Sequence, residues 1–470
     1  MRRSSPRADG PGLINRPASH RGRVAATVGG MEPAAAGDTD VLAACRSEPS
    51  PITFATHDSD HAMSRLAVFV SFSGQGGVER MIVNLIRGLV DKGCAIDLLL
   101  LRQQGPHLAR LPPTVRRVPL GTSHSLLAAP ALASYLRRHR PAALLAAKDR
   151  AGRTAVLARG LSGTGTPLLL RLGTHLSTAM ANKGPVRHWL RYAPIRWLYP
   201  RIDRIIAVSD GVAADTARIA RVPAERIEVI RNPVITPELA SEASADCTHP
   251  WLQPGQPSVV LAAGRLDRQK DFPTLIRAFA RLRKQRRCRL IILGDGRDRR
   301  ALVDLAAELG VTDDLDLPGF QRNPYAFMAR AQLFTLSSAW EGSPNVLTEA
   351  MALGVPVVAT DCPSGPAELL GHGRYGPLVP VGDAERLSEA MGRALDAPPS
   401  AETLRAAVAE YRQEIAAERY LAAIARARGT IMIDQYGDQK GHEPHARAAH
   451  RQGRPAGSMR GSRYTQTEHQ

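Results

Sequence analysis

The chain has 470 residues, an apolar content of 44% and a formal net charge of +18. That length supports two full hydrophobic cores, and no apolar run reaches the length of a membrane-spanning helix, so no such helix is expected. The charge belongs to the body of the chain: residues 63–428 hold 49 basic and 33 acidic residues, an excess of +16. A basic body suits phosphorylated substrates, nucleic acid or an anionic membrane face, with a plain solvated surface as the bland alternative.

Cys45, Cys94, Cys247, Cys288 and Cys362 are scattered and form no CxxC pair. That argues against a zinc site and a disulfide framework, and no metal is expected. With no signal-peptide apolar core at the start, a cytoplasmic protein is expected.

Residues 1–62 lack periodicity and are rich in Arg, Pro, Gly, Ala and Ser. They read as a disordered extension, or as a product of start-site choice, since Met63 directly precedes the first strand pattern. "RLAVFVSF" (65–72) is the first predicted strand, followed by a glycine turn and a helix from about Val78. "AIDLLLL", "AALLAA" (142–147), "PLLLRL" (167–172) and "DRIIAVS" (203–209) follow as strands, most trailed by a helical pattern. "RIEVIRNPV" ends this half, giving a doubly wound parallel α/β domain over 63–234. Within it, "RHWLRYAPIRWLYPRI" (187–202) mixes aromatics and arginines, and Pro194 is expected to interrupt any simple helix. Such a stretch can lie on an anionic membrane, or its tryptophans can pack on the domain.

Residues 235–257 break the rhythm with Pro, Ser and Gly and read as a linker. A second βα series occupies 258–428: "SVVLAAG", "CRLIILG", "LDLPG", "QLFTLSS", "VPVVAT" and "GPLVPVGD", then closing helices. The polar tail 429–470 is expected to be disordered. Two Rossmann-like halves joined by a linker imply a cleft at the carboxyl ends of their strands.

Three stretches in that cleft carry chemistry. "SFSGQGGVERM" (71–81) offers Gly74, Gly76 and Gly77 for positive φ and close approach, before a helix N-terminus that suits a phosphate. It is not a G-x-G-x-x-G pattern, and a tight strand–helix turn is the plain alternative. "AAGRLDRQKDFPTLIRAF" (262–279) places Arg265 and Lys270 after a strand, as a clamp for a diphosphate or as a basic surface loop. "AWEGSPNVLTEA" holds Glu341 in a loop and Glu349 one turn inside a helix starting near Asn345. Glu349 could accept hydrogen bonds from a ribose diol, or simply complement the helix dipole. Lys148, Asp149 and Arg150 also face the cleft, as acceptor ligands or as a charged helix start.

These stretches, in this order, resemble glycosyltransferase family 4, the retaining transferases of GT-B fold. "EGSPNVLTE" fits that family's E-x7-E pattern, "GRLDRQKDFPTLIRAF" its G-R-L-x-x-x-K-x-x-x-x-L-I-x-A-F signature, and "GQGGVER" its N-terminal glycine loop. The resemblance covers about residues 65–425. It implies that Arg265 and Lys270 clamp the donor diphosphate, Glu349 binds ribose and Glu341 meets the transferred sugar. It further implies that Ser343, Asn345 and Val346 hold sugar and phosphate, that Gly76 and Gly77 close on the phosphates, and that Gly319, Phe320 and Gln321 border the base. His175, in "RLGTHLS", matches the cleft histidine of the first half.

The expected activity is transfer of a sugar from a nucleotide-diphosphate sugar, UDP by default and GDP as the alternative, to a glycan or lipid-linked acceptor in cell-surface polysaccharide synthesis. No cofactor is required and no Asp-x-Asp metal motif stands in the cleft loops. A nucleotide-sugar 2-epimerase of the same fold is the enzymatic alternative. A non-catalytic nucleotide-sugar or nucleic-acid binder is the other, with only 4% aromatics for base stacking against the latter.

Overall fold

The computed structural model describes residues 65–73, 76–177 and 185–437. The extension over 1–62 and the tail beyond Gly437 lie outside these residues, as does Gly74.

The first half runs β1 (Leu66–Ser73), α1 (Gly77–Asp91), β2 (Ile96–Gln104), β3 (Arg116–Pro119), α2 (Ala129–His139), β4 (Ala143–Ala147), α3 (Asp149–Ser162) and β5 (Leu168–Leu172). It continues with α4 (Pro185–Leu198), β6 (Arg204–Ala207), α5 (Asp210–Ala220) and β7 (Ile227–Val229). The strands form one sheet in the order β3-β2-β1-β4-β5-β6-β7, with every pair parallel. Central strands β4 and β5 are buried at every position, as parallel strands covered on both faces must be.

Strand β3 is absent from the sequence reading. Its residues RRVP are mostly exposed and show no period-two pattern. What docks it is charge: Asp97 on β2 stands opposite Arg116 on β3 and accepts from that guanidinium's Nε at 2.9 Å. Helix α4 also departs from expectation, because it runs through Pro194. The proline sits near the C-terminal end, where it removes one intrahelical hydrogen bond and leaves the rest of the ladder. Trp197 in this helix is 59% exposed, with the Arg201 guanidinium 4.2 Å from its ring centre.

The stretch 235–257 contains the short helix α6 (Leu239–Ser244). The second half then runs β8 (Ser258–Ala263), α7 (Phe272–Gln285), β9 (Cys288–Leu293), α8 (Arg299–Glu308), β10 (Leu315–Gly319), α9 (Tyr325–Met328) and β11 (Leu333–Leu336). After these come α10 (Asn345–Ala352), β12 (Val357–Thr360), α11 (Pro366–Leu369), β13 (Leu378–Val379), α12 (Ala384–Asp396), α13 (Ala401–Ala407) and α14 (Gln413–Gly437). Its sheet has the order β10-β9-β8-β11-β12-β13, again all parallel.

The last helix does not stay with the half that precedes it. Ala417, Tyr420, Ala423, Ile424 and Ala427 recur at helical spacing and pack into the first half's core with Ile82, Ile86 and Leu89. Helix α14 reaches Gly437, past Gly429, where the polar tail pattern begins. Helix α1 crosses in the opposite sense: Met81 is buried in the second half's core beside Val234 and Leu347. The two halves therefore meet through packed side chains, and the carboxyl ends of both sheets face one cleft.

Candidate active site

Two loops of the second half are laced together at the cleft. The amide of Ala339 donates to the Gln269 carbonyl at 2.8 Å, Gln269 Nε2 donates to the Trp340 carbonyl at 3.0 Å, and Ser337 Oγ donates to the Lys270 carbonyl at 2.8 Å. This lacing carries Lys270 to Glu341, whose Oε1 accepts from Lys270 Nζ at 2.6 Å and from Ser338 Oγ at 2.7 Å. The lysine chain lies over Gly264, where a Cβ would stand 2.8 Å from Lys270 Cε, so no larger residue fits without moving it. Arg265 behaves differently. Its side chain is 71% exposed, rests 3.3 Å from Asp267 and donates from Nη2 to Gln269 Oε1 at 3.4 Å.

Helix α10 starts at Asn345 beside this pair, with Ser343 half-buried and Pro344 as its cap. The amides of Leu347 and Thr348 fold back onto the Pro344 carbonyl, while those of Asn345 and Val346 precede the ladder. Across the cleft stands α1: a Cβ on Gly77 would lie 3.6 Å from Asn345 Nδ2. Asn345 Oδ1 accepts from Asn232 Nδ2 at 2.8 Å, and Asn232 Oδ1 accepts from Arg171 Nη2 at 2.6 Å, a relay from β5 to α10.

The two glycines act through space rather than through dihedral freedom. Gly76 caps α1 with φ −71°, and Gly77 is also absent from the positive-φ set, against the expectation of positive φ. A Cβ at Gly76 would strike Glu79 Oε2 at 2.1 Å, so glycine there admits a carboxylate folded back over the helix start. Glu79 is buried and accepts from Lys148 Nζ at 3.0 Å.

Glu349 is wholly buried, and Arg80 of α1 donates to its Oε1 across the cleft. Arg80 also donates to the Tyr325 hydroxyl at 3.2 Å. The other carboxylate oxygen, Oε2, is buried with no hydrogen-bond partner. Burial pushes the Glu349 carboxyl above its ordinary value, and the Arg80 charge offsets only part of that. Burial would lower the Arg80 guanidinium, but Glu349 and Tyr325 more than reverse it.

His175 lies in the loop after β5. Its Nδ1 is 3.1 Å from Ser177 Oγ and 3.5 Å from Asp215 Oδ2, and Ser177 Oγ donates to Asp215 Oδ1 at 2.6 Å. This loop abuts the Glu341 loop, since a Cβ on Gly342 would lie 2.3 Å from the Gly173 carbonyl oxygen. Gly319, with φ +81°, ends edge strand β10 and accepts from the Gly294 amide at 2.9 Å. Phe320 next to it is 42% exposed, and Gln321 Nε2 donates to the Pro318 carbonyl at 3.0 Å. Among the described residues no hydrogen bond ties Phe320 or Gln321 to the Lys270–Glu341 pair.

The structure thus joins Lys270 to Glu341, Gly77 to Asn345, and the His175 loop to the Glu341 loop. It adds Arg80, Tyr325, Asn232, Gln269 and Ser338, which sequence reasoning passed over. Arg80 stood in the quoted "GQGGVERM", one turn from Gly76, where a helix-start charge reads as solvated.

Two family models match the chain, Glycosyltransferase Family 4 over residues 75–237 and Glycosyl transferases group 1 over 249–413. The chain belongs to glycosyltransferase family 4. One relative, the Campylobacter jejuni N-acetylgalactosamine-N,N'-diacetylbacillosaminyl-diphospho-undecaprenol 4-alpha-N-acetylgalactosaminyltransferase, is 33% identical over 202 residues, covering 43% of this chain and 53% of that protein. The match thus spans about half of that relative. The lipopolysaccharide core biosynthesis glycosyltransferase LpsE of Rhizobium meliloti is 29% identical over 335 residues, covering 68% of this chain and 86% of LpsE. Among solved structures, the outer core galactosyltransferase WaaB superimposes with a TM-score of 0.59 at 20% identity, covering 77% of this chain and 99% of that one. Anabaena HepE in complex with UDP and glucose gives 0.57 at 20% identity, covering 80% and 100%. These likenesses give the fold as GT-B, two Rossmann-like domains facing a cleft.

Proposed function

We propose that this chain is a retaining glycosyltransferase that moves a sugar from a nucleotide-diphosphate sugar, with UDP as the default nucleotide and GDP as the alternative, to a glycan or lipid-linked acceptor of cell-surface polysaccharide or lipopolysaccharide. It would work in the cytoplasm, with peripheral contact to an anionic membrane. The observation that carries this reading is the Lys270–Glu341 pair, with 15% and 8% of the side chains exposed, set beside the start of α10. That solved HepE binds UDP and glucose, and that the Campylobacter relative acts on a diphospho-undecaprenol glycan, supports the substrate classes.

In this reading the donor diphosphate takes Lys270, swung-in Arg265 and the α10 amides. These groups stabilise the charge that grows on the departing phosphate, where such stabilisation counts most. Glu341 grips the sugar as Lys270 turns toward phosphate, and Ser338 keeps the carboxylate aimed. Glu349 Oε2 accepts a ribose hydroxyl, which requires α1 to withdraw Arg80 or share the carboxylate with it. The leaving phosphate oxygen takes the acceptor hydroxyl's proton on the same face, which preserves configuration, and His175 borders the acceptor side.

Calorimetry with UDP, GDP, ADP and NAD, on the wild type and Lys270→Ala, tests it. One nucleoside diphosphate should bind, and the variant should lose about tenfold or more, as for removal of a charged hydrogen-bond donor. Folded protein that binds none of the four would defeat the reading. Epimer formed from a UDP-sugar with no acceptor present would move it to the epimerase.

A further inference from the structure

A cavity of about 600 Å³ opens within the first half, at the carboxyl ends of β1, β2, β4 and β5. It sits where the strand order reverses between β1 and β4, the position at which such sheets bind ligands. None of the donor-clamp residues lines it. Its walls bring together Arg102, His124, Lys148, Arg150 and Arg171.

The acidic groups at this cavity are already committed. The Asp149 carboxylate accepts from Arg153 at 2.6 Å and from Tyr199 at 3.0 Å, and Glu79 takes Lys148. Arg102 and Arg150 are exposed and have no ion-pair partner among the described residues. Helix α3 begins at the cavity, with Asp149, Arg150 and Ala151 in its first turn, and Lys148 at φ +81° turns the chain into it. A helix start favours an anion.

Arg171 is the independent observation. It interrupts the apolar strand "LLLRL" and is only 2% exposed. Its Nη2 donates to Asn232 and the guanidinium also has the Tyr420 hydroxyl as a partner, but Nη1 has no hydrogen-bond partner, and no carboxylate among the described residues pairs with it. A buried guanidinium paired only with neutral groups is costly unless something anionic completes it. The cavity it lines is where that anion would enter.

We propose that this cavity binds a phosphoryl group carried by the acceptor, with Arg102, Arg150 and Arg171 as its cations and the α3 amides behind them. The acceptor role rests on the transferase reading above. Two sources supply this chemistry, a lipid-linked diphosphate or a phosphorylated sugar of a water-soluble glycan. Leu126 and Leu127, 62% and 69% exposed, follow rim residue Ser125 and would lie along a lipid chain.

The test titrates the full chain, with its donor site saturated by UDP, with farnesyl diphosphate, farnesol and glucose 1-phosphate. The variants are Arg102→Gln/Arg150→Gln, at exposed positions, and Leu126→Ser/Leu127→Ser. Farnesyl diphosphate should bind, weaken at least tenfold in the arginine variant, and leave UDP affinity unchanged; farnesol should not bind. Loss of several-fold in the leucine variant assigns the lipid source, whereas glucose 1-phosphate binding as tightly assigns the soluble one. Binding of neither phosphate compound while UDP binds, or equal binding by the arginine variant or by farnesol, overturns the proposal. A chain that ignores UDP yet binds the diphosphate through these arginines sinks the transferase reading and keeps the cavity.

Discussion

Asp97 and Glu349 are both carboxylates with no exposed surface, and they are held in opposite ways. Asp97 accepts from Arg65 at 2.7 Å, from Tyr135 at 2.6 Å and from two nitrogens of Arg116, so both oxygens are filled. Burial would raise its carboxyl, but those hydrogen bonds outweigh it and hold the group below the ordinary range. Glu349 takes Arg80 on one oxygen with the Tyr325 hydroxyl beside it, has no hydrogen-bond partner on its second oxygen, and has a carboxyl pushed up by burial. A filled buried carboxylate ties β1, β2, β3 and α2 together. A half-filled one costs stability, and in the proposed reading its free oxygen is kept for the donor ribose.

The largest expected effect breaks the pair at the cleft without breaking the fold. Replacing both partners, Arg80→Met with Glu349→Leu, removes two buried charges at once, which is often neutral for stability. Donor turnover, read as kcat/KM with the UDP-sugar, should fall about a thousandfold, roughly 4 kcal/mol. The thermal midpoint should stay within a few degrees. A pair as structural as Asp97 would instead unfold the protein and leave no folded, inactive species to isolate.

Asp97→Asn should do the reverse. It leaves two arginines and a tyrosine around an amide that cannot accept them all, and it loosens β3. Breaking a buried pair costs about 3–5 kcal/mol, but Arg65 and Arg116 are 42% and 44% exposed, so water recovers part. A loss of about 2–3 kcal/mol in urea unfolding is expected, with full activity per folded molecule. Reduced activity without lost stability would remove the contrast.

The two carboxylates also oppose each other in pH. Asp97 has a folded pKa below its unfolded value, so its stabilisation is present above about pH 4 and is lost as pH falls through the folded pKa. Glu349 has a folded pKa above its unfolded value, so its contribution is present below about pH 4 and is lost as pH rises through the folded pKa. Unfolding measured from pH 3 to 7 should show the Asp97→Asn deficit shrinking on acidification. The Arg80→Met/Glu349→Leu variant should gain on wild type as pH rises.

This contrast marks how far the sequence could be read. The α/β alternation, all the central strands and the Lys270, Glu341 and Glu349 stretches were legible, because buried parallel strands are short apolar runs and the site residues sit in order along the loops that follow them. Strand β3 was not, since a polar edge strand held by one aspartate has no periodicity to show. Arg80 and Arg171 were not, because their meaning depends on partners brought by other elements: Glu349 lies across the cleft, and Asn232 follows β7. Helix α14 gave its apolar spacing but not the half it would cover.

The smallest expected effect tests whether closure of the cleft holds Glu349 as it does. Gly342→Ala would place a Cβ 2.3 Å from the Gly173 carbonyl, backbone against backbone, so the two loops must separate by about an ångström. Asp97 lies within the first half and should not notice. Arg80 reaches Glu349 only while the halves are in contact, so that pair should loosen. Hydrogen exchange should speed up at the start of α1 and of α10 and stay unchanged along β2, with kcat/KM falling only several-fold. Uniform acceleration across both regions would mean that the glycine contact supports the whole fold rather than the cleft. No change in either would mean that Arg80 holds Glu349 without help from closure.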